Sequence, residues 1–178
     1  MRIIAGRWRG HTITAPPGEK TRPTTDRVRE SWMSVLQHGI DGATVLDLFA
    51  GSGALGLEML SRGAAHVTFV EKAAAPLRVL QANIDRLGAA GEVEVVKGDA
   101  LKYVDALEPF AFDIALADPP YDAGGAPRLM EAYARRPFAR ILCIEHRAGD
   151  ALPQEGAVEV ETRRYGQTAL TFITAPEE

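Results

Sequence analysis

A chain of 178 residues with 46% hydrophobic and 25% charged side chains has the length and make-up of one soluble globular domain with a substantial core. It contains no apolar run of about 18 residues, which excludes a transmembrane helix, and Met1–Arg7 is too charged for a signal peptide. A net charge of −4 argues against nonspecific coating of nucleic acid, and a single Cys143 with four scattered histidines (His11, His38, His66, His146) offers neither an internal disulfide nor metal-ligand spacing. A cytoplasmic protein without a metal is expected.

The charge is unevenly spread. Residues 1–36 carry seven basic side chains (Arg2, Arg7, Arg9, Lys20, Arg22, Arg27, Arg29) against three acidic ones (Glu19, Asp26, Glu30), which leaves −8 on the remainder. A basic arm on an acidic body suits local contact with RNA or DNA. A solvated N-terminal arm is the equal alternative. Within it, residues 2–22 read as a small extended lobe: Ile3-Ile4 and Thr12-Ile13-Thr14 are short β-like pieces, and Pro16-Pro17-Gly18 breaks any continuation. Trp8 lies between Arg7 and Arg9, an arrangement that can stack on a base and hold phosphates. A Trp that pins the lobe to the body is at least as good a reading.

A helix follows, capped by Thr24 or Thr25, with Val28, Trp32, Val35 and Leu36 forming one apolar stripe. After Gly39–Gly42, the run 44–49 reads as a strand and 53–62 as a helix ended by Gly63. Residues 66–71 form a second strand, and Leu77, Leu80, Ile84 and Leu87 mark a helix closed by Gly88. A strand is expected over 92–96, a short helix over 101–107, a strand over 112–117, a helix over 127–135 and a strand over 140–145. This β–α alternation with apolar strands predicts a doubly wound α/β fold: a mostly parallel seven-stranded sheet covered by helices. Residues 157–164 and 168–174 differ, reading as an antiparallel hairpin that closes one edge.

The chain is organised around Asp47-Leu48-Phe49-Ala50-Gly51-Ser52-Gly53-Ala54-Leu55-Gly56, a strand tip, a glycine turn and a helix start. That order builds a small-molecule site at the carboxyl end of a strand. The glycines match the G-x-G-x-x-G pattern of dinucleotide sites. Asp47 at the tip opposes a pyrophosphate, however, and little chain remains for a separate substrate domain. S-adenosylmethionine fits better. Asp47 would lie near its ammonium, Phe49, Ala50, Gly51, Ser52 and Gly53 around its methionine end, Glu71 at its ribose hydroxyls, and Asp99 with Ala100 at its adenine. One such carboxylate alone reads as a solvated loop acid. Three at consecutive strand ends lie along one crevice.

Asp118-Pro119-Pro120-Tyr121 follows the fourth strand. The prolines stiffen the tip and leave two positions without N–H donors, so the Asp118 carboxylate and Pro119 carbonyl stand as acceptors. Two acceptors suit the exocyclic NH₂ of a nucleobase, whose delocalised lone pair makes it a poor nucleophile. Gripping its protons turns the lone pair towards an electrophilic methyl, and Tyr121 can stack on the base.

Asp47–Gly53 with Asp118–Tyr121 resembles the class I S-adenosylmethionine-dependent amino-methyltransferases. Arg2-Ile3-Ile4-Ala5-Gly6-Arg7-Trp8-Arg9-Gly10 and Arg22-Pro23-Thr24-Thr25-Asp26-Arg27-Val28-Arg29-Glu30 narrow the resemblance to the bacterial 16S rRNA guanine-N2 methyltransferases of the RsmD type. The resemblance implies a methyltransferase domain over 38–178, with 1–37 an extension that meets RNA. It implies one guanine of the small-subunit rRNA as the target, in a subunit or an assembly intermediate, and a monomer is expected. Arg7, Trp8, Arg9, Arg22, Thr24 and Arg27 are the candidate RNA contacts. His146 and Arg147 border the base pocket on this reading, with a hydrogen-bonded structural role favoured for His146. The alternatives are amino-methylation of adenine or cytosine in DNA or another RNA, and a noncatalytic RNA-binding assembly factor.

Overall fold

The computed structural model describes residues 1–15, 26–121, 124–153 and 159–176. Val45, Leu46 and Leu48 are wholly buried, as a strand covered by helices on both faces requires. They belong to β1 (Thr44–Leu48), which lies inside a seven-stranded sheet. The elements are α1 (Asp26–Ile40), β1, α2 (Ala54–Ser61), β2 (His66–Glu71), α3 (Ala74–Leu87), β3 (Val93–Lys97), α4 (Ala100–Asp105), β4 (Phe112–Ala117), α5 (Gly125–Arg135), β5 (Ala139–Arg147), β6 (Glu159–Tyr165) and β7 (Thr168–Thr174). The strand order is β3-β2-β1-β4-β5-β7-β6. β1 to β5 are parallel, and β7 runs antiparallel to both β5 and β6.

Two cores flank the sheet. Trp32 and Leu36 of α1, Leu57 of α2 and Leu80 and Ile84 of α3 pack on Val45, Val67 and Phe69. On the other face Val104 of α4 and Leu129, Met130 and Tyr133 of α5 pack on Leu46, Leu48, Ala115 and Leu142. This one-helix-per-crossover covering is the doubly wound Rossmann-like arrangement.

The differences from the sequence-based expectation have local causes. α1 continues through Gly39 to Ile40, because Ile40 is buried and anchors the last turn; Gly42 then turns the chain at φ 74°. The expected Thr24 or Thr25 cap lies outside the described residues. α4 starts at Ala100, earlier than periodicity indicates, because the Asp99 carboxylate caps it by accepting the Lys102 N–H at 3.0 Å. β5 extends to Arg147 because β7 pairs with it along its whole far end, His146 opposite Ala169 and Arg147 opposite Thr168.

The N-terminal lobe is a narrow loop whose strands meet at one bridge, Arg2 with Thr12. Its Ile3 and Ile13 enter the same core as α1 to α3. Polar staples hold it down. Glu58 of α2, fully buried, accepts from the Ile4 N–H at 2.8 Å and the Ala5 N–H at 3.2 Å. Asn83 of α3 accepts the Thr14 N–H and donates to the Thr14 carbonyl, each at 2.9 Å. Gly6 meets Ser61 so closely that a Cβ would fall 1.9 Å from its carbonyl oxygen. Behind the staples Arg29 is also fully buried. It donates to the Arg2 carbonyl at 2.7 Å and lies 3.8 Å from Glu58. Helical periodicity places Arg29 beside the apolar stripe and does not reveal this role.

Candidate active site

β1 lies between β2 and β4, with Leu48 opposite both Val70 and Ala117. The chain therefore leaves two adjacent parallel strands at one level: Phe49–Gly53 from β1 and Asp118–Tyr121 from β4. This is the switch point of the sheet, where loops diverge to opposite faces and leave a crevice. The first loop is tightly wound. Phe49 has φ 57°, Gly51 φ 56° and Gly53 φ 83°, and the Gly53 N–H donates to the Ala50 carbonyl at 2.8 Å. A left-handed conformation at Phe49, which has a Cβ, costs about 1–2 kcal/mol. Its ring and Pro119 of the second loop both border Gly125, where a Cβ would lie 3.5 Å from Phe49 Cζ and 2.9 Å from Pro119 Cβ.

The three glycines of the motif do different work. A Cβ on Gly53 would meet Leu80 Cδ1 at 2.3 Å, and one on Gly56 would meet Phe69 Cε1 at 2.4 Å. Those two let α2 sit close against α3 and β2. A Cβ on Gly51 would have no described atom within 4 Å. Gly51 is therefore the glycine whose missing side chain leaves room outside the protein's own packing. The Ser52 carbonyl is held from behind by Asn83 at 3.0 Å.

Glu71 and Asp118 lie close to Asp47 at these loops, and Asp99 follows β3, one strand beyond β2. Asp47 is buried and accepts the Gly56 N–H at 3.0 Å. Burial holds its pKa well above the usual range; the nearby Asp118 and Glu71 carboxylates push it further up, and the Gly56 bond opposes them. Glu71 bridges two backbones, accepting from the Gly51 N–H at 3.1 Å and the Ala73 N–H at 3.0 Å. Asp99 caps α4, and Ala100 is buried as the first residue of that helix. Asp118 is half-buried, Pro119 buried and Pro120 exposed. The Tyr121 hydroxyl lies 3.1 Å from Thr168 Oγ1, and the Arg147 guanidinium carbon sits 5.4 Å from its ring centroid. Thr168 is the residue that sequence reasoning missed; only the β5–β7 register brings it here.

The basic candidates are more scattered. Arg7 pairs with Glu92 at 2.7 Å and lies 4.0 Å over the Trp8 ring. Trp8 itself packs against the core, and its backbone N–H donates to Ser61 Oγ at 3.0 Å, which pins the lobe to the body. Arg9 and Arg27 are exposed. Arg22 and Thr24 lie outside the described residues. His146 is buried and fully engaged, Nδ1 with the Arg147 carbonyl at 2.9 Å and Nε2 with Thr171 Oγ1 at 2.6 Å. It borders a cavity of about 430 Å³ beside the β6–β7 hairpin, with Asp150 and Arg164 at its rim. Among the described residues no helix is long and apolar enough to cross a membrane. No cluster of three or more His, Cys, Asp or Glu there suits a metal ion.

Comparison with known proteins agrees with this architecture. The family described as "Conserved hypothetical protein 95" matches residues 1–174. Bacillus subtilis YlbH is 33% identical over 179 residues, 97% of each chain. The Escherichia coli "Ribosomal RNA small subunit methyltransferase D" is 44% identical over 124 residues, which span 70% of this chain and 62% of that protein. The solved structure of Escherichia coli yhhF superimposes with a TM-score of 0.85 at 33% identity, covering 100% of this chain and 99% of that one. The chain belongs to the conserved hypothetical protein 95 family, the RsmD-type branch of the Rossmann-like methyltransferases.

Proposed function

We propose that this protein transfers a methyl group from S-adenosylmethionine to the exocyclic N2 amine of one guanine in the 16S rRNA of the small ribosomal subunit. The observation that carries the reading is the adjacency of the glycine turn and the Asp118–Tyr121 tip across one switch point, with Leu48 and Ala117 directly paired. The name of the Escherichia coli relative, 44% identical over 124 residues, supports ribosomal RNA of the small subunit as the substrate.

The residues present fit the methyl donor. Gly51 faces open space beside the turn, and the Glu71 carboxylate is held by two backbone N–H groups at the edge of the same loop. On this reading Glu71 would hold the ribose hydroxyls, Asp99 and Ala100 would border the adenine, and Phe49–Gly53 would wrap the methionine end. Asp47 supports the turn from beneath, through Gly56. When bound, S-adenosylmethionine supplies an electrophilic methyl on a sulfonium. The chain's own residues then do the positioning. The Asp118 carboxylate and Pro119 carbonyl accept the two amine hydrogens and turn the nitrogen lone pair along the attack line. Tyr121 holds the base flat. The displaced proton leaves to Asp118 or to water. Placement of this kind contributes several kcal/mol without covalent catalysis. The target base must be unpaired or flipped to reach the crevice. Exposed Arg9 and Arg27 are the proposed contacts to the RNA backbone.

Incubating labelled donor with small subunits that lack the modification tests this. Labelled N2-methylguanosine in the nuclease digest is the expected product. N6-methyladenosine, or no transfer by folded protein that binds the donor, would overturn the proposal.

A further inference from the structure

Tyr121 follows two prolines and leaves β4, yet what holds its ring belongs to neither. Arg147 is the last residue of β5 and Thr168 the first of β7, and the two are directly opposed in the antiparallel register. Directly opposed residues put their side chains on the same face of a sheet. That face is turned to Tyr121, whose hydroxyl lies 3.1 Å from Thr168 Oγ1 while the Arg147 guanidinium lies over its ring at 5.4 Å. β4 and β7 are separated by β5, two strand spacings or about 10 Å. The phenol therefore spans the tip of β5 and is tied at its far end.

We propose that Thr168 and Arg147 are positioning residues that hold Tyr121 as a rigid stacking platform for the target base, a proposal that rests on the methyl-transfer reading above. A tyrosine ring in a loop has two free torsions, and ordering it against a base costs conformational entropy. One hydrogen bond at the hydroxyl and one cation over the face remove that freedom before substrate arrives. The guanidinium also assigns the faces: a base would stack on the side away from Arg147. The hydroxyl is engaged with Thr168, so Tyr121 acts through its ring and not as an acid or base. The arrangement gives the closing β6–β7 hairpin a part in the chemistry, since only β7 lying antiparallel beside β5 brings Thr168 to the active-site end of the sheet.

The test is a double-mutant cycle read in two ways. Thr168 is buried, and Thr168→Val keeps its shape while removing the hydroxyl. Single-turnover methyl transfer to small subunits should slow by about 3- to 10-fold in Thr168→Val and in Tyr121→Phe, the range of one net hydrogen bond. KM for the donor should be unchanged, and Thr168→Ser should restore the rate. The double variant should be no slower than either single one. Arg147→Gln should slow transfer, and Arg147→Lys should recover part of the loss. Losses that multiply in the double variant, or Thr168→Val at the wild-type rate, would overturn the proposal. The second reading is the flip rate of the Tyr121 ring by NMR in the free, ring-labelled protein. It should rise at least several-fold in Thr168→Val, and an unchanged flip rate would also overturn the proposal. This second reading needs no methyl acceptor. A wild-type chain that transfers no methyl, with the ring response as expected, overturns the methyl-transfer reading while supporting the contact itself.

Discussion

The Asp47 carboxylate, at the end of β1, accepts the Gly56 N–H of α2 at 3.0 Å from a wholly buried position. One side chain thus closes the strand–turn–helix unit on itself, and the glycine turn is held from inside the protein. The same bond places a carboxylate where solvent cannot stabilise its charge, with Asp118 and Glu71 close enough to oppose ionisation further.

A pH signature follows from that placement. The folded pKa of Asp47 is raised well above its unfolded value, so the native state holds the proton more tightly. Its contribution to stability is then fully present below the ordinary aspartate value of about 3.9 and is lost as pH rises through the folded pKa. Asp47→Asn retains an acceptor for the Gly56 N–H and removes the charge. Urea midpoints should match wild type near pH 3.5 and exceed it increasingly towards neutral pH. Equal midpoints at all pH values would refute the assignment.

The glycines of the turn should separate by phenotype. Gly56→Ala drives a methyl against Phe69 and Val67, both buried in the core, and should cost about 1–3 kcal/mol in urea melts. Gly51→Ala meets open space, so its stability cost should be limited to the left-handed strain of about 1–2 kcal/mol. Its methyl would occupy the space proposed for the donor, so donor affinity by calorimetry should fall on the order of tenfold or more.

The Arg29–Glu58 pair should dominate the attachment of the lobe. Desolvation by burial lowers the Arg29 pKa, while the Glu58 and Asp26 charges oppose that shift. Glu58→Ala leaves the guanidinium without its buried counter-charge and frees the Ile4 and Ala5 amides, a loss of about 3–5 kcal/mol. Hydrogen exchange should accelerate first over residues 1–14. Arg29→Met combined with Glu58→Leu should recover much of the loss, because neither charge is then buried alone.

Asp118 should separate chemistry from donor binding. Asp118→Ala should lower the single-turnover rate by about 10²–10³-fold, the scale for removing one positioned hydrogen-bonding group. Calorimetric affinity for the donor should stay within a few-fold of wild type. Parallel loss of donor binding would contradict the proposed role of Asp118 at the amine.

The strand and helix pattern was legible because continuous apolar runs and period-3.6 burial are local signals. β2, β4 and β7 fall on the residues expected, and the two loops of the candidate site follow from the turn chemistry of Gly51–Gly53 and Pro119–Pro120. Element ends were less legible where a partner distant in sequence sets them. Thr168 extends β5 to Arg147, and the carboxylate of Asp99 advances the start of α4.

By itself the sequence determined which residues can form strand tips, which acids stand at them and where the backbone can turn. Those properties depend on neighbours a few residues away. Tertiary structure alone decided what each side chain finds there. It turned Arg7, an apparent phosphate ligand, towards Glu92, 85 residues on. It buried Arg29 against Glu58, assigned Gly53 and Gly56 to packing and left Gly51 facing open space. It brought Thr168 to Tyr121 across 47 residues. The physical reason is the same in each case: side-chain pairing and charge burial are settled by strand order and helix packing, which local periodicity does not specify.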